Sequence, residues 1–217
     1  MKSILFVLFS LIGFNLSAKT PEFATRCVGD KSAKKNAIFL HGMLLVQTLP
    51  NGVGKDEASL AQIAKTHDYR IAIPRSHIVC KQSKHYHCWG NTTTIESTYE
   101  GIVKSAAQCF DTSKPFVAIG FSDGGYHLAR ALMRGVKDQP KLSIAIGSAG
   151  NIAYSQSKDL SQVAPITLLT GKSDGVLASA KSFVLDLKKK GAKVEFKTYD
   201  GGHVVPFDLL ATMLASA

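Results

Sequence analysis

The chain has 217 residues, 45% of them hydrophobic, with 26 Lys and Arg against 16 Asp and Glu and a formal net charge of +10. That length and composition fit one domain with a substantial core and exclude a disordered or low-complexity protein. The positive charge does not mark a nucleic-acid binder, because the basic residues are scattered: the longest runs are Lys188-Lys189-Lys190 at an expected helix end and Lys34-Lys35 ahead of an expected strand.

Residues 1–18 read as a secretory signal. Lys2 supplies the positive start, residues 4–16 are almost entirely apolar, and Leu16-Ser17-Ala18 offers small residues for cleavage. The apolar run is too short to span a bilayer comfortably. A domain over residues 19–217, periplasmic or secreted, is therefore expected, with at most a weak attraction to anionic envelope surfaces. Four cysteines in an oxidising compartment favour two disulfides with three connectivities open. Cys80 with Cys88 is the preferred pairing, which leaves Cys27 for Cys109.

Residues 19–35 are polar and irregular. A strand is expected at 37–40, running into His41-Gly42-Met43, then a helix over 58–65 behind acidic Asp56 and Glu57, and a short buried strand at 69–73 stopped by Pro74. Residues 75–94 are polar, rich in His and Cys, and fit no element. Helical spacing returns over 94–110 with Glu96 in the first turn.

Residues 116–119 form a short apolar run between Pro115 and Gly120, the pattern of a buried strand, and 124–133 repeat apolar residues at helical spacing. Between them lies Gly120-Phe121-Ser122-Asp123-Gly124, a G-x-S-x-G pentapeptide in strand-to-helix context. A turn this sharp brings backbones together, leaves no room for Cβ atoms at the glycines, and pushes Ser122 out at the carboxyl end of the strand. The alternation continues with strands at 142–146, 166–170 and 194–199 and helices at 178–190 and 205–214. Such alternation predicts an α/β fold with a mostly parallel sheet covered on both faces, and ligands at the carboxyl ends of its strands.

The loops after these strands carry the chemistry. A serine hydroxyl needs a base to take its proton, and the base needs a third group to fix its tautomer. His203, in Asp200-Gly201-Gly202-His203 after the final strand, is the expected base. Asp174, after the preceding strand, is the expected acid, and Asp200 is the runner-up. Serine, acid, histidine is the chain order that this sheet requires. Oxyanion donors are expected from the backbone N–H groups of Asp123 and of Met43, with Leu44 the alternative to Met43.

These motifs resemble the α/β-hydrolase superfamily. Phe39-Leu40-His41-Gly42, Gly120-Phe121-Ser122-Asp123-Gly124-Gly125, Gly171-Lys172-Ser173-Asp174 and Gly202-His203 match its pattern in order over roughly residues 36–210. The compact layout is similar to the esterase, dienelactone hydrolase and polyhydroxyalkanoate depolymerase group. The resemblance implies hydrolysis of carboxylic esters through an acyl-enzyme, with Ser122 as nucleophile, His203 as base and Asp174 as its partner. Dienelactone hydrolases proper use cysteine, so the serine argues for the esterase branch. The oxyanion loop lacks the triple glycine of many lipases, which argues against a large lipid substrate.

His77, Cys80, His85, His87 and Cys88 could form a zinc cluster, but their spacing fits no standard zinc motif and disulfide formation competes for the thiols. No metal and no cofactor is expected. The same segment carries Trp89, the only tryptophan, which could overhang the catalytic edge as a substrate wall. No stretch is long enough for a separate cap domain. The expectation is a lidless, single-domain serine hydrolase, monomer or small homo-oligomer, acting on small or polymer-borne esters. Its rivals are a peptidase or thioesterase with the same triad, and an inactive hydrolase fold that binds at an envelope surface.

Overall fold

The computed structural model describes residues 20–45, 54–90, 93–150, 153 and 159–217. The export signal expected over 1–18 lies outside these residues. Ten strands and five helices are found among them: β1 Ala24–Val28, β2 Lys35–Leu40, β3 Leu44–Leu45, α1 Gly54–His67, β4 Tyr69–Arg75, β5 Ile78–Cys80, β6 Ser83–Cys88, α2 Ile95–Ala106, β7 Phe116–Phe121, α3 Asp123–Met133, β8 Leu142–Ile146, β9 Ile166–Gly171, α4 Leu177–Lys189, β10 Val194–Tyr199 and α5 Phe207–Ala215.

Seven strands form one sheet in the order β1-β4-β2-β7-β8-β9-β10. All neighbours are parallel except β1, which pairs antiparallel with β4. The fold is thus a single α/β domain with a mostly parallel sheet. Because side chains alternate across a strand, β2 sends Ala37 and Phe39 to one face and Ile38 and Leu40 to the other. The first pair joins a cluster with Leu60 and Ile63 of α1 and Leu210 and Leu214 of α5. The second joins a cluster with Ile102 of α2, Leu132 of α3 and Phe183 of α4. Two cores, one on each face, hold the sheet rigid beneath the loops at its carboxyl edge.

Later strands lie on opposite sides of β2: β4 on one, β7 through β10 on the other. The order therefore reverses between β2 and β7, and the crevice there is where a doubly wound sheet binds ligand. The loop after β2 and the elbow after β7 meet at that point.

Three expectations change. Residues 24–28, read as irregular, form edge strand β1, held by pairing to β4 and by the Cys27–Cys109 disulfide. Pro74 does not stop β4; it lies past the last residue paired with β2, opposite Thr25 of β1, so its missing N–H breaks no bond to β2. Residues 78–88 are a hairpin, β5–β6, which pairs with β3 in a second, three-stranded sheet. Cys80 and Cys88 are bonded across it, so both expected disulfides are present. Among the described residues no helix is long and apolar enough to cross a membrane.

Candidate active site

Ser122 sits between β7 and α3 with φ 50° and ψ −117°, a backbone conformation that non-glycine residues rarely adopt. Its side chain does not cap the helix. Instead Oγ lies 2.9 Å from His203 Nε2, and His203 Nδ1 lies 2.9 Å from Asp174 Oδ2. A carboxylate can only accept, so Nδ1 carries the proton and donates to Asp174, leaving Nε2 to accept from the Ser122 hydroxyl. The second Asp174 oxygen accepts from the backbone N–H of Val176 at 3.1 Å.

The three side chains come from loops after β7, β9 and β10, 81 residues separating serine from histidine. Burial differs sharply along the chain of contacts: the Asp174 side chain is 2% exposed and that of His203 43% exposed. The carboxylate is thus shielded from water, where it interacts most strongly with the imidazole, while the imidazole is partly open to solvent. Asp200, the alternative acid, points away: it pairs with Lys172 at 2.6 Å and is 89% exposed.

The loop after β2 runs against the elbow, since a Cβ placed on Gly42 would stand 3.1 Å from that of Ser122. His41 builds this loop from below. It is buried, and burial above all pushes its pKa down to about 4, so the ring is neutral. Nε2 accepts from the Ser76 backbone N–H at 3.0 Å, which puts the ring proton on Nδ1, bonded to the Gly42 carbonyl.

Trp89 does not form a substrate wall. It is 0% exposed, with its ring against Phe23, His41 and His127. Its indole N–H donates to the His41 carbonyl at 2.7 Å, and its backbone N–H donates to Asp123 Oδ2 at 2.8 Å. Burial raises the pKa of that carboxyl, opposed by the Trp89 bond and by Arg130. The hairpin thus reaches the site through its backbone and a buried ring. Of the residues considered for zinc, Cys80 and Cys88 are joined to each other, and among the described residues no three His, Cys, Asp or Glu side chains converge as metal ligands.

Gly147, read from the sequence only as the end of a strand, also shapes the site. Its φ is 55°, and a Cβ there would come within 3.1 Å of the His203 ring and 3.3 Å of Asp174 Oδ2. A side chain would displace the histidine. Only its place after β8, the strand beside β7, hinted at this.

The comparisons with known proteins agree with the fold. The family model for "Serine hydrolase (FSH1)" matches residues 13–213. The fold resembles that of esterase PE8, 19% identical, covering 90% of this chain and 99% of that one with a TM-score of 0.61. It also resembles acyl-protein thioesterase 2 of Zea mays, 18% identical, covering 89% and 98% with a TM-score of 0.62. A carboxylesterase from Mesorhizobium loti is 16% identical, covering 90% and 95% with a TM-score of 0.64. No curated protein sequence matches. With the family model spanning nearly the whole chain, this protein is a member of the serine hydrolase (FSH1) family, within the α/β-hydrolase superfamily.

Proposed function

We propose that this serine hydrolase cleaves carboxylic esters with Ser122 as nucleophile, His203 as general base and acid, and Asp174 as the group that orients the imidazole. The observation that carries the reading is the unbroken line of two 2.9 Å contacts from Ser122 through His203 to Asp174. His203 takes the hydroxyl proton as Oγ attacks the ester carbonyl, then gives it to the departing alcohol. Water, activated by the same imidazole, releases the acid and restores the serine. The buried Asp174 carboxylate stabilises the imidazolium that forms in each half.

The developing oxyanion is assigned to the N–H groups of Met43 and Asp123. Asp123 is the first residue of α3, whose leading N–H groups have no partner within the helix. Met43 follows Gly42, which packs against Ser122. Such donors contribute about 3 kcal/mol each to lowering the barrier. The apolar leader of residues 1–18 and two disulfides support export of a mature domain beginning at residue 19.

The test is a panel of short-chain esters, acyl-thioesters and aminoacyl amides run on the wild type and on Ser122→Ala. Ester turnover lowered by about a thousandfold or more in the variant is expected. Turnover retained in Ser122→Ala would place the chemistry elsewhere, and preference for amide or thioester would reassign the substrate class.

A further inference from the structure

A cleft of about 440 Å³ begins at Asp123, next to Ser122, and is not accounted for by the triad or the oxyanion donors. One wall is a stripe of α3 formed by Asp123, Tyr126 and Arg130, whose i, i+3, i+7 spacing sets them on one face. The opposite wall is the β5–β6 hairpin, which contributes exposed Val79, the Cys80–Cys88 bridge and exposed Lys81. The cleft is therefore apolar along part of its length and bears ionic groups of both signs.

The order of those charges matters. Asp123 stands at the end beside the nucleophile. The Arg130 guanidinium lies over the Tyr126 ring, 5.7 Å from its centroid, so a cation stands roughly one helical turn, about 5 Å, further along. Asp123 balances one of the two cations among the lining residues, and Lys81 leaves the cleft net positive. An anion close to the scissile bond meets the Asp123 carboxylate, whereas one placed a turn away meets Arg130 and Lys81. A neutral chain gains only the apolar contact.

We propose that this cleft is a substrate subsite that selects esters bearing a terminal carboxylate on one arm, about four to six single bonds from the scissile carbonyl. Arg130 holds the carboxylate, Lys81 adds to its attraction, and the intervening methylenes lie on Val79 and the disulfide. The inference rests on the triad reading above and names the substrate class for it.

The experiment compares monoethyl adipate with ethyl hexanoate, and the butyrate ester of 4-hydroxybutanoate with butyl butyrate, so that the anion is tried on either arm. The anionic member of at least one pair is expected to show about tenfold higher kcat/KM in low salt, the ratio shrinking as ionic strength rises. Arg130→Gln and Lys81→Ala should each lower that ratio threefold or more. A reading without turnover is adipate binding to Ser122→Ala protein by calorimetry, weakened by Lys81→Ala, a change at an exposed side chain. Equal or better use of both neutral esters, or adipate binding that ignores both substitutions, overturns the subsite. Absence of turnover of any ester, with adipate still bound, overturns the hydrolytic reading and leaves the anion site standing.

Discussion

The backbone N–H of Trp89 donates to the Asp123 carboxylate at 2.8 Å, while the indole N–H of the same residue donates to the carbonyl of His41 at 2.7 Å. One buried residue after β6 thereby ties the elbow after β7 to the loop after β2, the two segments proposed to bind the oxyanion. Their spacing is set by this bridge as well as by the sheet. Trp89→Phe keeps a ring in the core but leaves the His41 carbonyl without its donor. The expected outcome is kcat lowered about tenfold with KM little changed, and a stability loss of about 1–3 kcal/mol in urea unfolding. A proportional rise in KM at constant kcat would show that the bridge serves substrate binding instead.

Asp174 and Asp200 are separated by one experiment. Asp174→Asn removes the carboxylate that holds the His203 tautomer and should lower kcat by roughly 10³–10⁴. Asp200→Asn breaks only an exposed pair with Lys172 and should leave kcat within about twofold. Steady-state kinetics on the two variants decides between them, and a larger loss in Asp200→Asn would reverse the assignment.

Gly124 is the position at which the elbow tolerates least. A Cβ there would meet the backbone oxygens of Leu40 at 2.4 Å and His41 at 2.6 Å, and neither can move without shifting β2. Gly124→Ala should cost several kcal/mol, with the variant insoluble or inactive. A Tm within a few degrees of wild type would show that the elbow can open.

The disulfides should contribute unequally. Cys27–Cys109 closes a separation of 82 residues and Cys80–Cys88 one of 8, for which chain entropy gives about 4.5 and about 2.5 kcal/mol. Replacing each pair by serine and measuring unfolding in urea should reproduce that order. Activity should fall more in the Cys80/Cys88 variant, because its hairpin leads into Trp89 and lines the anion cleft.

Acid should destabilise the protein well above the carboxylate range. Burial holds His41 down at about 4 and His127 at about 3, both below the ordinary imidazole value of 6.5. Between these values and 6.5 the unfolded chain binds protons that the folded chain does not, so stability is full above pH 6.5 and is lost as pH falls. Each residue costs about 1.4 kcal/mol per pH unit within its window. Urea unfolding at pH 7 and pH 5 should differ by a few kcal/mol, and equal stabilities would contradict neutral burial of both rings.

By itself the sequence determined the alternation of strands and helices, the elbow at Ser122, and the loops that carry His203 and Asp174. Local rules suffice for these: apolar runs bounded by glycine and proline, helical spacing after the pentapeptide, and a polar residue after each strand. Tertiary structure alone decided what depends on partners distant in the chain. Edge strand β1 has a weak apolar pattern and exists because β4 and Cys109 hold it. The polar segment around Trp89 suggests a substrate wall at the catalytic edge, yet Phe23, His41 and His127 enclose the ring. Gly147 matters only because His203 and Asp174 arrive from other strands. Burial and hydrogen-bond geometry are properties of such assembled neighbours, and no window along the chain contains them.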